Sequence, residues 1–588
     1  MTITTDAADI TWDLAPLLGD TSVDELLDKA DELAGVLELE RGLIGEISPK
    51  ALAAFMDAMA ELRELVGRAS SYASLRFATD TADPESGALM QRVQERATAI
   101  STRLLFFQLE WVAVPDTWAD RLLEEPALAS SAHYLRSMRR YKDHVLTEPE
   151  ERVLTEKSVT GRGAWVRLFS ELTSALTVEL DGRETTLEEG LSRLQSPDRD
   201  VRRTAADAVT AGLAPGLRTR AFLFNTLLHD KAVDDRLRGH AHWLASWNLA
   251  QEASDESVQA LVDAVRARYD IPQRWYALKA RLLGVDRLAD YDRMASLATD
   301  DETVGWDDAR TLVLDCYRSF SPELAGVAER FFDGFIDAPA RPGKRPGAFC
   351  SYTVPSHHPY VFLNWTGRRR DALTLAHELG HGVHGALARP QGVFHQSTPL
   401  TLAETASVFG ETVVFGRLLE EASTPQSRLA LLAENLEGAI ATVFRQTAMN
   451  RFEHLVHTAR REEGELSVDR FGELWAESQT EMLGDAVEVT DNYRSWWSYI
   501  PHFIGTPGYV YAYAYGQLLA LAVYRRYEDQ GDDFVPRYLE LLSAGGSDRP
   551  DVLARIVGCD LADPGFWDGG LAIVEGQLRA AEEAAAAV

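Results

Sequence analysis

Residues 374–384 read Thr-Leu-Ala-His-Glu-Leu-Gly-His-Gly-Val-His, and they contain the pattern His-Glu-x-x-His. In an α-helix, residues four apart lie on the same face, so this spacing lets His377 and His381 bind one metal ion. Glu378 lies beside that face, where its carboxylate can reach a water on the ion. Two imidazoles, an open coordination position and a carboxylate base are the parts of a zinc hydrolase. The stretch therefore predicts a metal-dependent hydrolase, and the competing interpretation is an amphipathic helix with surface histidines.

A tetrahedral zinc site needs a third protein ligand, and the chain downstream indicates its type. One class of zinc enzymes continues the pattern as His-Glu-x-x-His-x-x-Gly-x-x-His, but the last two of those positions hold His384 and Leu387 here. Another class takes a glutamate from a following helix, and residues 399–411 have the composition of such a helix. We predict Glu404 as this ligand, because a carboxylate among small and apolar residues is costly to bury without a cation.

Glu411 lies seven residues after Glu404, two turns further along the same helix face. One interpretation is that it accepts a hydrogen bond from a ligand imidazole, which is a common way to orient a metal-binding histidine. The other interpretation is a solvated helix acid. The sequence leaves both interpretations open.

Composition and charge indicate a folded globular protein that does not bind polyanions. The chain has 588 residues, more than a single hydrophobic core usually serves, so two or more subdomains are expected. Apolar residues make up 46% and charged residues 26%, as in globular proteins. The formal net charge of −32 argues against binding to nucleic acid or to an anionic membrane, because phosphate would be repelled.

The cysteines and the N-terminus predict a cytoplasmic protein. Cys316, Cys350 and Cys559 are odd in number and far apart, which argues against a disulfide framework and favours a reducing compartment. Cys350 lies close to the predicted site in sequence, but no Cys-His pattern accompanies it, so we predict a packing role. The first residues lack the basic and apolar regions of a signal peptide, and no apolar run is long enough to span a membrane.

Apolar residues recur at three- and four-residue spacings over residues 23–114, 202–233 and 256–283, which predicts a mostly α-helical fold. Asp181-Gly182 predicts a tight β-hairpin between two short strands. Ser196-Pro197-Asp198 then reads as the N-cap, first residue and first-turn acid of another helix. We take this break as the boundary between an N-terminal helical domain, residues 1–195, and a catalytic domain, residues 196–588.

A loop rich in proline and glycine covers residues 338–347, and two short strands are predicted after it, at 348–354 and 360–364. A strand edge beside a metal can hold an extended peptide by main-chain hydrogen bonds, with little dependence on side chains. His357 and His358 lie in the turn between these strands. For both we predict either a solvent-facing position or a role at the rim of the substrate site, rather than metal binding.

Several motifs together resemble the oligoendopeptidase F branch of the thimet oligopeptidase family of zinc peptidases. They are the active-site stretch 377–384, residues 402–407, Gly347–Ser351, Asn364–Gly367 and Trp12-Asp-Leu near the N-terminus. The resemblance extends over essentially the whole chain. It implies two helical halves that enclose a deep channel, one Zn²⁺ per chain on the channel floor, a small β-sheet beside the active-site helix, and short peptides as substrates.

Residues 499–516 are rich in tyrosine and glycine and include His502, Tyr509 and Tyr515. Hydrolysis of a peptide develops an oxyanion, and donors directed at it lower the barrier by about 3–4 kcal/mol each. Glycines would let such a loop close on substrate. In the family resembled, a His and one or two Tyr at this place have that role. We therefore predict His502 and Tyr509 as donors and Tyr515 as the alternative, with core packing as the competing interpretation for each tyrosine.

The predicted function is a zinc-dependent endopeptidase that cuts internal bonds of short, unstructured peptides, with no nucleic-acid or membrane partner. One rival is a zinc exopeptidase, in which Arg368–Arg370 could bind a C-terminal carboxylate. The other rival is a non-catalytic peptide-binding protein, against which the intact His-Glu-x-x-His pattern argues. Another divalent metal could replace zinc, as the Irving–Williams order allows. The sequence does not determine the oligomeric state or the cleavage preference.

Overall fold

The computed structural model describes residues 7–297, 303–563 and 565–588. Most of them are helical, which confirms the predicted mostly α fold. The α-helices are, in chain order, α1 (Ala15–Leu18), α2 (Val23–Leu37), α3 (Pro49–Thr79), α4 (Pro84–Arg103), α5 (Leu105–Ala113), α6 (Asp116–Leu123), α7 (Ala132–Arg139), α8 (Glu148–Ser158), α9 (Arg162–Ser174), α10 (Leu187–Ser192), α11 (Arg199–Leu213), α12 (Leu217–Leu237), α13 (Ala245–Ala250), α14 (Asp255–Ala267), α15 (Asp270–Leu282), α16 (Trp306–Phe320), α17 (Pro322–Glu329), α18 (Arg369–Leu387), α19 (Leu400–Glu421), α20 (Pro425–Ala439), α21 (Gln446–Glu462), α22 (Val468–Leu483), α23 (His502–Gly505), α24 (Tyr511–Gln530), α25 (Val535–Ala544), α26 (Pro550–Ala554) and α27 (Phe566–Ala586). The strands are β1 (Thr177–Leu180), β2 (Arg183–Thr186), β3 (Leu288–Ala289), β4 (Ile336–Pro339), β5 (Phe349–Ser351), β6 (Tyr360–Trp365) and β7 (Val487–Glu488). Within the described residues, no helix combines the length and the apolar character needed to cross a membrane.

The chain forms two compact units, and each unit is assembled from three separate stretches of sequence. The first unit comprises Met1–Asp143, Asp301–Glu420 and Leu519–Asp560. The second unit comprises His144–Asp300, Glu421–Leu518 and Leu561–Val588. The division at residue 196 and the deep channel stay predictions.

A three-stranded sheet lies beside helix α18 in the first unit, as predicted. Its strand order is β4-β6-β5, with β4 parallel and β5 antiparallel to β6. The central strand β6 has a run of buried aromatic and aliphatic residues, Tyr360–Leu363, which suits a strand covered on both faces. The outer strand β5 pairs with it in the register Cys350↔Val361.

The second unit contains the predicted hairpin, β1 with β2, and Asp181 and Gly182 both have positive φ in its turn. The predicted start of the next helix was wrong by two residues. Helix α11 begins at Arg199, and its N-cap is Asp198, whose carboxylate accepts from the backbone N–H of Asp200 at 2.8 Å. Ser196 instead accepts from the backbone N–H of Asp198 in the turn before the helix. Both residue types cap helices well, and the local turn decides which of them is used.

Aromatic side chains make up much of the core of the second unit. Phe224 of α12 stacks on Phe471 of α22, with ring centroids 5.2 Å apart, and Phe452 of α21 meets Trp475 edge to face at the same separation. Phe503 of α23 also lies against Phe452. Aromatic contacts of this kind add to the stability supplied by buried area. They hold α21 and the start of the segment around His502 in one packed body.

Candidate metal centre

Helix α18 presents the His-Glu-x-x-His pattern. Asp371 caps its first turn, because its carboxylate accepts from the backbone N–H groups of Thr366 at 2.7 Å and Arg368 at 3.1 Å. Buried aliphatic residues, including Leu375 and Leu379, fix one side of the helix in the core of the first unit. The histidines at 377 and 381 therefore share the remaining face, one turn apart.

Helix α19 crosses α18 at close range, and a glycine makes the approach possible. A Cβ added at Gly380 would lie 2.5 Å from the carbonyl oxygen of Ala406 and 2.6 Å from the Cα of Ser407. Any side chain at position 380 would therefore push the helices apart. This close contact brings Glu404 of α19 opposite the histidines of α18.

The donor atoms of three side chains converge. Nε2 of His377 lies 3.4 Å and Nε2 of His381 lies 3.6 Å from Oε2 of Glu404. One donor atom from each residue lies within 4.8 Å of the others. Two ligand atoms about 2.0–2.1 Å from zinc in a tetrahedral site are about 3.3–3.4 Å apart. The two nitrogen-to-oxygen distances fit that geometry closely, so the three residues could hold a zinc-sized ion.

Two neighbours orient these donors. Nδ1 of His377 donates to Oε2 of Glu411 at 3.0 Å, which leaves Nε2 of the neutral ring free to bind a metal. The hydroxyl of Ser407 donates to Oε2 of Glu404 at 2.6 Å. Burial lowers the pKa of His377, but the hydrogen bond to Glu411 and the charges of Glu404 and Glu411 outweigh it and raise the pKa to about 9, so a metal ion that binds at Nε2 would displace a proton from that nitrogen. Of the two interpretations for Glu411, the geometry favours the orienting role.

Glu378 has the environment of a buried base. Its side chain is 6% exposed, and Oε2 is buried without a hydrogen-bond partner among the described residues. Burial raises the pKa of the Glu378 carboxyl to about 7. A carboxylate whose pKa lies near neutral pH can both take and return a proton during turnover.

A cavity of about 630 Å³ opens beside these residues. His377, Glu378 and His381 form part of its wall, and the segment Ala348–Thr353 forms another part. That segment contains β5, the outer strand of its sheet. The cavity therefore joins three potentially reactive side chains to a strand edge that could pair with an extended chain.

The other residues singled out near the motif lie apart from the donor cluster. Cys350 lines the cavity, but burial raises its thiol pKa well above the usual value, so it stays protonated. His358 packs against the rings of Phe331 and Phe335, with centroids 4.4 and 4.0 Å away, and this apolar contact differs from a solvent-facing position. His384 is buried in α18, where burial lowers its pKa to about 3.

The second unit holds the predicted oxyanion donors in a cluster of their own. Nε2 of His502 and the hydroxyl of Tyr513 are 3.3 Å apart. The ring of Tyr509 lies 5.9 Å from that of His502 and 5.0 Å from that of Tyr513. Burial lowers the pKa of His502, which keeps the imidazole neutral. The alternative residue, Tyr515, is 1% exposed and packs on Trp567 in the core.

The sequence analysis missed Tyr513. Helix α24 begins at Tyr511, so Tyr511 and Tyr515 are four residues apart on one buried face, and Tyr513 lies on another face. Helical periodicity applied from residue 511 onward would have separated the tyrosines in this way. The prediction assigned the donors to a glycine-rich loop, so it did not apply this periodicity to the tyrosines; the roles of His502 and Tyr509 stay predictions.

Comparisons with known proteins identify related families and a shared fold. The model of Peptidase family M3 matches residues 325–573, and that of Oligopeptidase F matches residues 110–177. Oligopeptidase PepF of Bacillus subtilis is 28% identical over 545 residues, which are 89% of this chain and 79% of that protein. Group B oligopeptidase PepB of Streptococcus agalactiae is 27% identical, with 96% of each chain covered. The crystal structure of oligoendopeptidase-F from Enterococcus faecium has the same fold, with a TM-score of 0.73 and 22% identity over 95% of this chain and 98% of that chain.

Proposed function

The chain belongs to the oligopeptidase F branch of peptidase family M3, a family of metallopeptidases, and on this premise we propose that it is a zinc-dependent endopeptidase. Its substrates are short, unstructured peptides, cut at internal bonds. His377, His381 and Glu404 are the metal ligands, and Glu378 is the general base. His502 and Tyr509 are the donors to the oxyanion.

The observation that carries this proposal is the convergence of the three donors. Two imidazole nitrogens and one carboxylate oxygen form a ligand set that suits a catalytic zinc, which keeps one position open. The two imidazole donors and the small number of ligands favour zinc over calcium, which takes six or more oxygen ligands. When bound, the ion supplies a Lewis acid that lowers the pKa of a water and polarises a carbonyl.

The protein's own groups complete the reaction. Glu378 takes a proton from the attacking water and later returns it to the leaving nitrogen, as its pKa of about 7 permits. Its buried Oε2 has no other hydrogen-bond partner among the described residues, so it is available for that proton. His502 and Tyr509 stabilise the negative charge that develops on the carbonyl oxygen, and the 3.3 Å contact with Tyr513 helps to orient His502.

Substrate binding through main-chain hydrogen bonds explains why the substrates are short peptides of many different sequences. The edge strand β5 lines the cavity, and an extended peptide could add to it as a further strand. Such pairing uses groups common to all peptides, so it admits many sequences. It requires an extended chain, so it excludes folded proteins.

The composition of the cavity wall favours an endopeptidase over a carboxypeptidase. Among the described residues that line the cavity, none is Lys or Arg. Arg368–Arg370, which could have bound a terminal carboxylate, do not belong to that wall. A carboxypeptidase needs a cation at that place, whereas an endopeptidase does not.

The test uses an internally quenched peptide blocked at both ends. We expect cleavage at an internal bond, loss of cleavage after chelation, and recovery with one equivalent of Zn²⁺ per chain. Cleavage of a free-ended peptide alone would instead identify an exopeptidase. Binding of both peptides without cleavage, in zinc-loaded protein, would identify a peptide-binding protein. Mass spectrometry of the products locates the bond that is cut.

A further inference from the structure

The segment between α23 and α24 in the second unit contains Tyr509, and two side chains from elsewhere in that unit, Arg162 and Glu453, hold its backbone. At its start, the guanidinium of Arg162 donates to the carbonyl oxygens of Ile504 at 3.3 Å and Gly505 at 3.0 Å. In its middle, the backbone N–H of Gly508 donates to Oε1 of Glu453 at 2.8 Å. Hydrogen bonds from a guanidinium to backbone carbonyls are stronger than those between neutral groups.

Glu453 lies in α21 and has no exposed surface. Its second oxygen, Oε2, is buried and has no hydrogen-bond partner among the described residues. Burial raises the pKa of this carboxyl to about 8. Burying a carboxyl group with a single hydrogen-bond partner costs folding free energy, compared with an apolar side chain at the same position. Among the described residues, the backbone N–H of Gly508 is the one hydrogen-bond partner of the Glu453 carboxyl.

Gly508 lies in close contact with Leu244 and Trp247. Its φ is +86°, a conformation that side chains other than glycine rarely adopt. A Cβ at this position would lie 2.7 Å from Cδ1 of Leu244 and 3.5 Å from Cβ of Trp247. The ring of Trp247 also meets the ring of Tyr509 edge to face, at 5.6 Å. Leu244 and Trp247 therefore restrict both the backbone of Gly508 and the ring of Tyr509.

From these contacts we propose that Glu453 is a positioning residue for the oxyanion donors. By holding the amide of Gly508, it keeps Tyr509 in contact with His502, so that both donors share one orientation toward the substrate. The inference rests on the proposed function, in which His502 and Tyr509 act on the oxyanion. Glu453 itself touches neither the substrate nor the reacting atoms.

The test compares three variants of the zinc-loaded enzyme. Glu453→Leu removes the acceptor, whereas Glu453→Gln retains an oxygen that can accept from Gly508. Glu437→Leu is the control, because Glu437 is a partly buried acid of the second unit whose carboxylate pairs with Lys279 instead. The readouts are kcat and KM on the doubly blocked peptide, thermal midpoint, and hydrogen exchange of the Gly508 amide.

We expect E453L to lower kcat about 10- to 100-fold with KM within about threefold, since displacement of a positioned group by a fraction of an ångström has effects of that size. E453Q should retain most of kcat, and E437L should lower the thermal midpoint but leave kcat unchanged. The Gly508 amide should exchange faster in E453L alone. Gly508→Ala tests the same contact from the loop side, because its methyl group would meet Leu244, and it should reproduce the kcat loss.

A double variant separates positioning from general destabilisation. If Glu453 acts through Tyr509, E453L should reduce the kcat of Y509F only slightly further. Multiplicative losses, unchanged Gly508 exchange in E453L, or an equal kcat loss in E437L would each overturn the inference. Normal turnover by Y509F would instead reject the proposed role of Tyr509, and the exchange data would still decide whether Glu453 holds the loop.

Discussion

Helices α18 and α21 carry nearly the same residues in a different order, and only α18 assembles a cluster of metal donors. In α18 the order is His377-Glu378-x-x-His381, and both histidines face Glu404 of α19. The sequence of α21 contains Glu-His-Leu-Val-His at residues 453–457. Within the described residues, no second group of three donors comes as close together as the one on α18.

The partners of α21 explain the difference. His457 is 2% exposed and stacks on Trp243, with centroids 4.6 Å apart, while Nδ1 of His454 accepts from the indole N–H of the same tryptophan at 3.4 Å. Glu453 turns instead to the amide of Gly508. Trp243 occupies the place where a carboxylate would complete a metal site. Burial lowers the pKa of both histidines, so their rings stay neutral. The comparison shows that His and Glu residues form a cluster of potential metal donors on α18, where a second helix supplies a carboxylate, and do not form one on α21.

The largest contrast is expected between His381→Ala and His457→Ala. H381A removes one of three donors, so the bound zinc should fall well below one equivalent and cleavage should cease. H457A should keep one zinc and lose only stability, because it removes a stacked ring from the core. Metal analysis after dialysis measures the difference. Equal metal loss in both variants would break the comparison.

Glu378→Gln should be the next largest effect. Loss of the general base should lower kcat by about 10²- to 10⁴-fold, while the zinc content stays at one equivalent. Glu462→Gln, at an exposed position at the end of α21, is the matched control and should leave kcat unchanged. Steady-state kinetics with metal analysis checks both. Near-native turnover by E378Q would remove Glu378 from the mechanism.

Glu411→Ala tests whether Glu411 orients the imidazole of His377 for metal binding. Without the acceptor for Nδ1 of His377, zinc affinity should fall about 10- to 100-fold. Glu420→Ala, at the exposed end of α19, should leave the affinity unchanged. Competition with a chromophoric chelator gives both dissociation constants. An unchanged affinity in E411A would mean that His377 is oriented by packing alone.

The smallest effect concerns pH. The pKa of Glu453 is raised from 4.5 to about 8 by burial, so between these values the folded protein holds a proton that the unfolded chain has released. Stability from this group therefore falls as pH rises from about 4.5 to 8. His457 acts in the opposite direction, because its pKa is lowered by burial and the unfolded chain takes up the proton below about pH 6.5.

Glu453→Gln removes the first contribution and keeps the second. The thermal midpoint of E453Q relative to the wild type should rise by a few degrees between pH 5 and pH 8. Thermal unfolding monitored by circular dichroism at several pH values measures this difference. A difference that does not change with pH would show that Glu453 does not titrate abnormally.

Much of the fold was predictable because its signals are local. Helical spacing of apolar residues depends on neighbours three and four positions apart, and the turn at Asp181-Gly182 depends on two residues. The sheet near residue 350 was predicted from strand composition and loop punctuation. The cap at Asp198 was missed because Ser196 and Asp198 are both good capping residues, and the choice depends on the backbone of the turn.

By itself, the sequence determined which residues could act together: His377, Glu378 and His381 follow from helical spacing alone, and Glu404 from the composition of a later helix. Only the tertiary structure decided which groups meet. In the folded protein α19 packs against α18 at Gly380, and Tyr515 is buried in the core. Tyr513 lies beside His502, and Glu453 accepts a hydrogen bond from the amide of Gly508. The physical reason is that periodicity defines the faces of a helix, whereas the partner of each face is selected by packing between residues that are distant in sequence.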